Sequence, residues 1–105
     1  MIKNINQDEW RKLIDNTENK SIIDVRTPQE CATGMLENAT PINFFNSHLF
    51  MNAIDELDKD KSYFVYCRSG NRSFQACQIM MSKGIEKVYN LEGGMLEWNG
   101  KVVSQ

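Results

Sequence analysis

The segment YCRSGNRS, residues 66–73, holds a cysteine followed within five positions by two arginines and a glycine. It joins a run that reads as a buried strand, YFVYC, to one that reads as a helix, RSFQACQIMMSKG. A strand ending at Cys67, a tight loop containing Gly70 and a helix starting near Asn71–Ser73 would gather backbone N–H groups around one sulfur, together with the positive end of a helix dipole. A free thiol with a pKa near 8.5 is only about 3% thiolate at neutral pH, and an electropositive nest lowers that pKa by one to several units. Cys67 is therefore the candidate nucleophile. Arg68 and Arg72 add permanent cations whose planar donors suit sulfur or phosphorus oxyanions. The loop Arg68, Ser69, Gly70, Asn71 and Arg72 is accordingly the candidate binding site for a small anionic substrate. A preformed thiolate needs no general base, and none is evident. His48 is the one histidine and falls on a predicted helix far away in sequence, so a Cys–His protease dyad is a poor reading.

The other chemically capable residues read more simply as scaffold. Cys77 shares a helix side with Phe74, Met80 and Met81, which makes it core, and Cys31 is read the same way. Three cysteines without a C-x-x-C pair support neither a disulfide framework nor a metal site. Asp24 and Arg26 suit a buried strand-end ion pair or a loop brace, for instance Arg26 with Glu30. Arg72 either faces substrate or turns inward onto a carboxylate such as Asp24. Gly93-Gly94 before a short helix indicates a tight turn with close backbone packing. Trp98 covers the core, Met80, Met81 and Met95 fill it, and His48 is solvated or capping.

The elements that must position this loop follow from periodicity. MIKNI is a short edge strand, and Asn6 with Glu9 three residues on begins a helix whose apolar stripe is Trp10, Leu13 and Ile14. SIIDV is a strand, and Thr27-Pro28 opens a short helix with Pro28 in its first turn. ENATPINF holds a strand at an edge or end position, marked by Pro41. Asn46 or Ser47 caps a helix with apolar positions Leu49, Phe50, Ala53, Ile54 and Leu57. YFVYC is the central strand, and the helix after it ends at Gly84 in the left-handed position. EKVYNL is the last strand and EGGMLEW the last short helix. Strands alternating with helices predict an α/β fold with a mostly parallel sheet, helices on both faces and ligands at the carboxyl ends of strands.

Three blocks, IIDVRTPQE, YCRSGNRS and VYNLEGGMLEW, in this order and spacing, resemble the single-domain rhodaneses, a family of thiosulfate or persulfide sulfurtransferases. The resemblance implies a rhodanese-like three-layer fold with a five-stranded sheet, in one domain over residues 1–105. It implies Cys67 as sulfur acceptor, residues 68–72 as the loop that holds a Cys67 persulfide, and a double displacement. The donor would be thiosulfate or a persulfide and the acceptor cyanide, a thiol or a protein, with no cofactor and no metal. Two positions depart from the family pattern. Gly34-Met35-Leu36 stands where many members have Gly-His-Ile, and Cys31 stands where many have an aromatic residue, changes expected to alter packing or acceptor preference. One rival class is a cysteine phosphatase or arsenate reductase, whose loops place five residues between cysteine and arginine; here Cys67 and Arg72 have four between them. The other is a rhodanese-like sulfur carrier or non-catalytic binding module.

The bulk numbers are compatible with these readings. A chain of 105 residues can bury a core without staples, and 41% hydrophobic with 25% charged residues is ordinary for a globular protein. A net charge of -2 gives no electrostatic reason to expect nucleic acid. No run approaches the roughly 18 apolar residues of a membrane span, and the start MIKNINQDEW lacks a leader pattern. The sequence reading is therefore a cytoplasmic protein with no membrane partner.

Overall fold

The computed structural model describes residues 2–104. Five strands, β1 (Ile2–Ile5), β2 (Lys20–Asp24), β3 (Ala39–Pro41), β4 (Ser62–Tyr66) and β5 (Lys87–Leu91), form one sheet in the order β1-β5-β4-β2-β3, every pairing parallel. The helices are α1 (Gln7–Asn16), α2 (Pro28–Cys31), α3 (Ser47–Asp55), α4 (Asn71–Ser82) and α5 (Gly94–Glu97).

Alternation along the strands divides the core between the two faces. Ile23, Tyr63, Val65 and Val88 point to one side, where Phe50 and Ile54 of α3 and Ala76, Cys77 and Met80 of α4 cover them. Ile22, Phe64, Tyr66 and Leu91 point to the other, covered by Trp10 of α1 with Trp98 packed alongside. All of β4 is buried, as a continuous apolar run in a two-sided parallel sheet requires. Because side chains alternate, Cys67 continues the Tyr63–Val65 row and lies on the α3–α4 face.

The helix ends follow local chemistry. Asn6 accepts from Glu9 N at 3.0 Å to open α1, and Asn46 accepts from Leu49 N at 3.3 Å to open α3. Thr27 and Glu30 form a reciprocal capping box with Pro28 in the first turn of α2. Helix α4 ends as expected at Gly84, whose φ of 97° lets the Gly84 and Ile85 amides bond back to Met81 and Met80. One expected stripe residue lies elsewhere: Leu49 is 61% exposed, since Phe50 and Ile54 supply the buried face of α3.

Connections from β4 run toward β5 on one side of the sheet and those from β2 toward β3 on the other. The carboxyl ends of the neighbouring strands β2 and β4 therefore flank the crevice where an open α/β sheet binds ligands. Among the described residues no helix is long and apolar enough to cross a membrane.

Candidate active site

Cys67 follows the last residue of β4 and is fully buried beneath the loop that leads into α4. Its Sγ accepts hydrogen bonds from Gly70 N at 3.1 Å, Ser73 N at 3.4 Å and Ser73 Oγ at 3.3 Å. Burial pushes the thiol up, but donation by the Ser73 hydroxyl and by the Ser73, Gly70 and Ser69 amides outweighs it and holds Cys67 below the usual thiol range. The other two cysteines go the opposite way: burial drives Cys31 up to about 11 and Cys77 up to about 12. Three buried thiols thus divide into one stabilised as thiolate and two held as thiols.

Two elements outside the loop shape it. Gly70 caps α4 with φ 106°, a backbone state that glycine adopts without strain. Across the loop, the Gly93-Gly94 turn brings the start of α5 against it, so that Met95 N and Leu96 N donate to the carbonyls of Cys67 and Arg68, each at 3.0 Å. A Cβ on Gly94 would lie 2.5 Å from Arg68 O and 2.6 Å from Cys67 O. The close backbone packing expected of the glycine pair is present at Gly94, and the backbone it packs against is the cysteine loop, whereas Gly93 lies against the Glu97 side chain.

The arginines divide their work. Arg72, in the first turn of α4, grips Glu30 of α2 with both guanidinium nitrogens at 2.7 and 2.8 Å, and its guanidinium lies 5.0 Å from the ring of Phe45. Arg72 beside it holds the Glu30 carboxyl down at about 2. Arg26 pairs with Asp24 at 2.8 Å, both buried, and also donates to Gly34 O at 2.7 Å. The buried strand-end ion pair of Asp24 with Arg26 is thus present, whereas the alternatives of Arg26 with Glu30 and of Arg72 with Asp24 are not, since Glu30 is taken by Arg72. Arg68 and Ser69 are exposed above the sulfur, as is Asn71 at the first position of α4, and Arg68 has no ion pair among the described residues.

A surface pocket of about 440 Å³ opens beside Arg68, lined by Arg26, Glu30, Thr33 and Leu96 among others. A larger cavity, about 760 Å³, lies between α1 and the Trp98 segment and is lined by no residue of the cysteine loop. His48 is exposed on α3, with Asn52 as its neighbour. Met35, at the position where a histidine was noted as usual, is buried and pairs through its backbone with Val103. Ser73 did not enter the sequence-based site, because a hydroxyl residue after the arginine suits several kinds of anion loop. Its spacing, six residues beyond the cysteine and inside the first helical turn, is the signal that could have found it.

A cysteine sulfur enclosed by hydrogen-bond donors at the carboxyl end of a central parallel strand defines a class: α/β proteins with a donor-lined cysteine loop between a strand and a helix. The comparisons narrow that class. The model of the rhodanese-like domain matches residues 6–101. A sulfurtransferase of Allochromatium vinosum is 37% identical over 98 residues, covering 93% of this chain and 89% of that protein. The crystal structure of a rhodanese-like domain protein from Staphylococcus aureus superposes with a TM-score of 0.84 at 28% identity, covering 98% of both chains. An NAD-dependent persulfide reductase from A. fulgidus matches with a TM-score of 0.68 and 33% identity over 92% of this chain, but over only 16% of its own length. The chain belongs to the rhodanese-like family, and its relatives include sulfurtransferases.

Proposed function

We propose that this protein is a sulfurtransferase that carries a sulfane sulfur on Cys67. The observation that carries the reading is the convergence of Gly70 N, Ser73 N and Ser73 Oγ on one sulfur. Those donors would stabilise the thiolate before transfer and the terminal persulfide anion after it, so neither state becomes a trap. In the first step the Cys67 thiolate attacks the outer sulfur of thiosulfate; a Cys67–sulfur bond forms, the donor S–S bond breaks, and sulfite leaves with the electron pair. In the second, a thiophilic acceptor such as cyanide or a thiolate attacks the outer sulfur of the persulfide and Cys67 departs as thiolate. No outside oxidant, metal or organic cofactor enters the balance.

Arg68 is the proposed steering group for the sulfonate end of the donor, since it is exposed in the cysteine loop and lines a surface pocket. Ser69, Gly70 and Asn71 supply backbone around the transferred sulfur. Arg72, engaged with Glu30, acts on the site by bracing the start of α4. Because Cys67 lies under the loop, donor entry requires the exposed Arg68–Ser69 stretch to yield. The tight ring around a single sulfur favours this chemistry over phosphoryl transfer. The protein is proposed to work in the cytoplasm as one domain.

Intact mass after incubation of reduced protein with thiosulfate tests the reading. Wild type is expected to gain about 32 Da, one sulfur atom, and to lose it on addition of cyanide, while Cys67→Ser gains nothing. Absence of the adduct with thiosulfate and with glutathione persulfide alike would sink the sulfurtransferase reading and leave a binding module on this scaffold.

A further inference from the structure

Asn90, on β5, is 4% exposed and faces the α4 side of the sheet. Its Nδ2 donates to Gly70 O at 3.2 Å and to Asn4 Oδ1 at 2.9 Å, Asn4 being its register partner on β1. Its Oδ1 is buried without a hydrogen-bond partner. Exchanging the amide oxygen and nitrogen would set an acceptor against the Gly70 carbonyl, so that carbonyl fixes the orientation.

That arrangement is unfavourable for a residue present only for stability. A buried orphan acceptor costs free energy, whereas leucine, with the same branched shape, would remove it. The donor end explains the choice. Gly70 sits between two anchors: its N–H points at Cys67 Sγ and its carbonyl is held by Asn90 and by Phe74 N at 3.1 Å. As a glycine at positive φ it has no side chain to restrict it. The carbonyls of Cys67 and Arg68 are pinned from the other side by the start of α5. Asn90 completes the set, holding the third loop carbonyl outward while the amides turn inward.

We propose that Asn90 is a positioning residue for Cys67, its amide fixing the Gly70 peptide so that the loop donors stay on the sulfur. The inference rests on the reading that the Cys67 thiolate is the reactive group. The titratable and charged groups facing that sulfur are Arg72 of α4, already paired with Glu30 of α2, and Cys77 one turn beyond Ser73. None of them touches Asn90 through a hydrogen bond, so its removal acts through the loop.

The test is the titration of Cys67 in Asn90→Leu, followed by ultraviolet thiolate absorbance. Cys31 and Cys77, pushed up to about 11 and about 12, are silent in the neutral range. The expected result is a folded protein whose Cys67 midpoint rises by about one unit, a roughly tenfold lower ratio of thiolate to thiol. Asn4→Ala, at an exposed position, is expected to give a smaller shift in the same direction by releasing the second anchor of the amide. An unchanged midpoint in folded Asn90→Leu overturns the proposal, whatever its stability. If Asn90→Leu does not fold, Asn4→Ala decides: an upward shift supports the role and none overturns it. The titration needs no sulfur transfer, so a Cys67 that responds in this way yet accepts no sulfur would refute the proposed function and leave the role of Asn90 standing.

Discussion

Ser73 supplies two of the donors that meet the Cys67 sulfur, one from its backbone and one from a fully buried hydroxyl. A hydrogen bond to a charged acceptor contributes about 1.5–3 kcal/mol, so Ser73→Ala should raise the Cys67 midpoint by about one unit or more. The rate of sulfur loading would then follow pH with its rise displaced to the alkaline side; an undisplaced profile would remove Ser73 from the site. Arg68→Ala is expected to raise KM for thiosulfate with little change in kcat, because an exposed cation steering the donor contributes equally to ground and transition states. A fall in kcat at constant KM would place Arg68 in the chemistry instead. At this scale the donor-lined cysteine loop was legible from sequence, since Cys67 lies between a buried strand and a helix with Gly70 in the turn. The partner of Arg72 was not, because Asp24 and Glu30 are both candidate carboxylates and only the course of the loop after β2 separates them.

Among the elements, the Gly93-Gly94 turn does most to place the cysteine loop. Gly94 has φ 56° and no room for a Cβ against the Arg68 and Cys67 carbonyls. Gly94→Ala is therefore expected to cost roughly 1–3 kcal/mol of stability and, in the fraction that folds, to reduce sulfur loading by displacing the Met95 and Leu96 amides from the loop. Denaturant titration and loading by intact mass read the two effects, and a variant normal in both would show the turn to be incidental. The strands and helices themselves were readable, because β-branched and aromatic runs such as SIIDV and YFVYC alternate with capped amphipathic segments. What periodicity could not supply was the meeting of α5 with the loop after β4, where Met95 and Leu96 bond to Cys67 and Arg68, far back along the chain. Leu49 illustrates the same limit: three- and four-residue spacing fits it into the α3 stripe, yet the turn of the helix against the sheet leaves it outside.

In the molecule as a whole, the site depends on two neighbouring strands ending together. Loops from β2 and β4 leave the sheet side by side, and the Glu30–Arg72 pair ties the helix after one to the helix after the other. That tie gives the fold a specific acid response. The Glu30 carboxyl, with an ordinary value of 4.5, is held at about 2 in the folded protein by Arg72. Its folded value lies below the unfolded one, so its contribution is complete above pH 4.5 and fades as pH falls toward 2. Both side chains keep some contact with water, which limits the contribution to about 1–2 kcal/mol, less than the full shift would imply. Glu30→Gln should therefore be less stable than wild type at neutral pH by that amount, with the difference shrinking across the acid range. Urea denaturation at a series of pH values measures it, and a difference that stays constant down to pH 2 would show the loss to be one of packing or capping rather than of charge. The same variant separates bracing from binding. If Arg72 serves the site by holding the start of α4, releasing it from Glu30 should lower thiolate stability at Cys67 together with fold stability. If Arg72 is drawn instead to the donor once freed, KM for thiosulfate should fall.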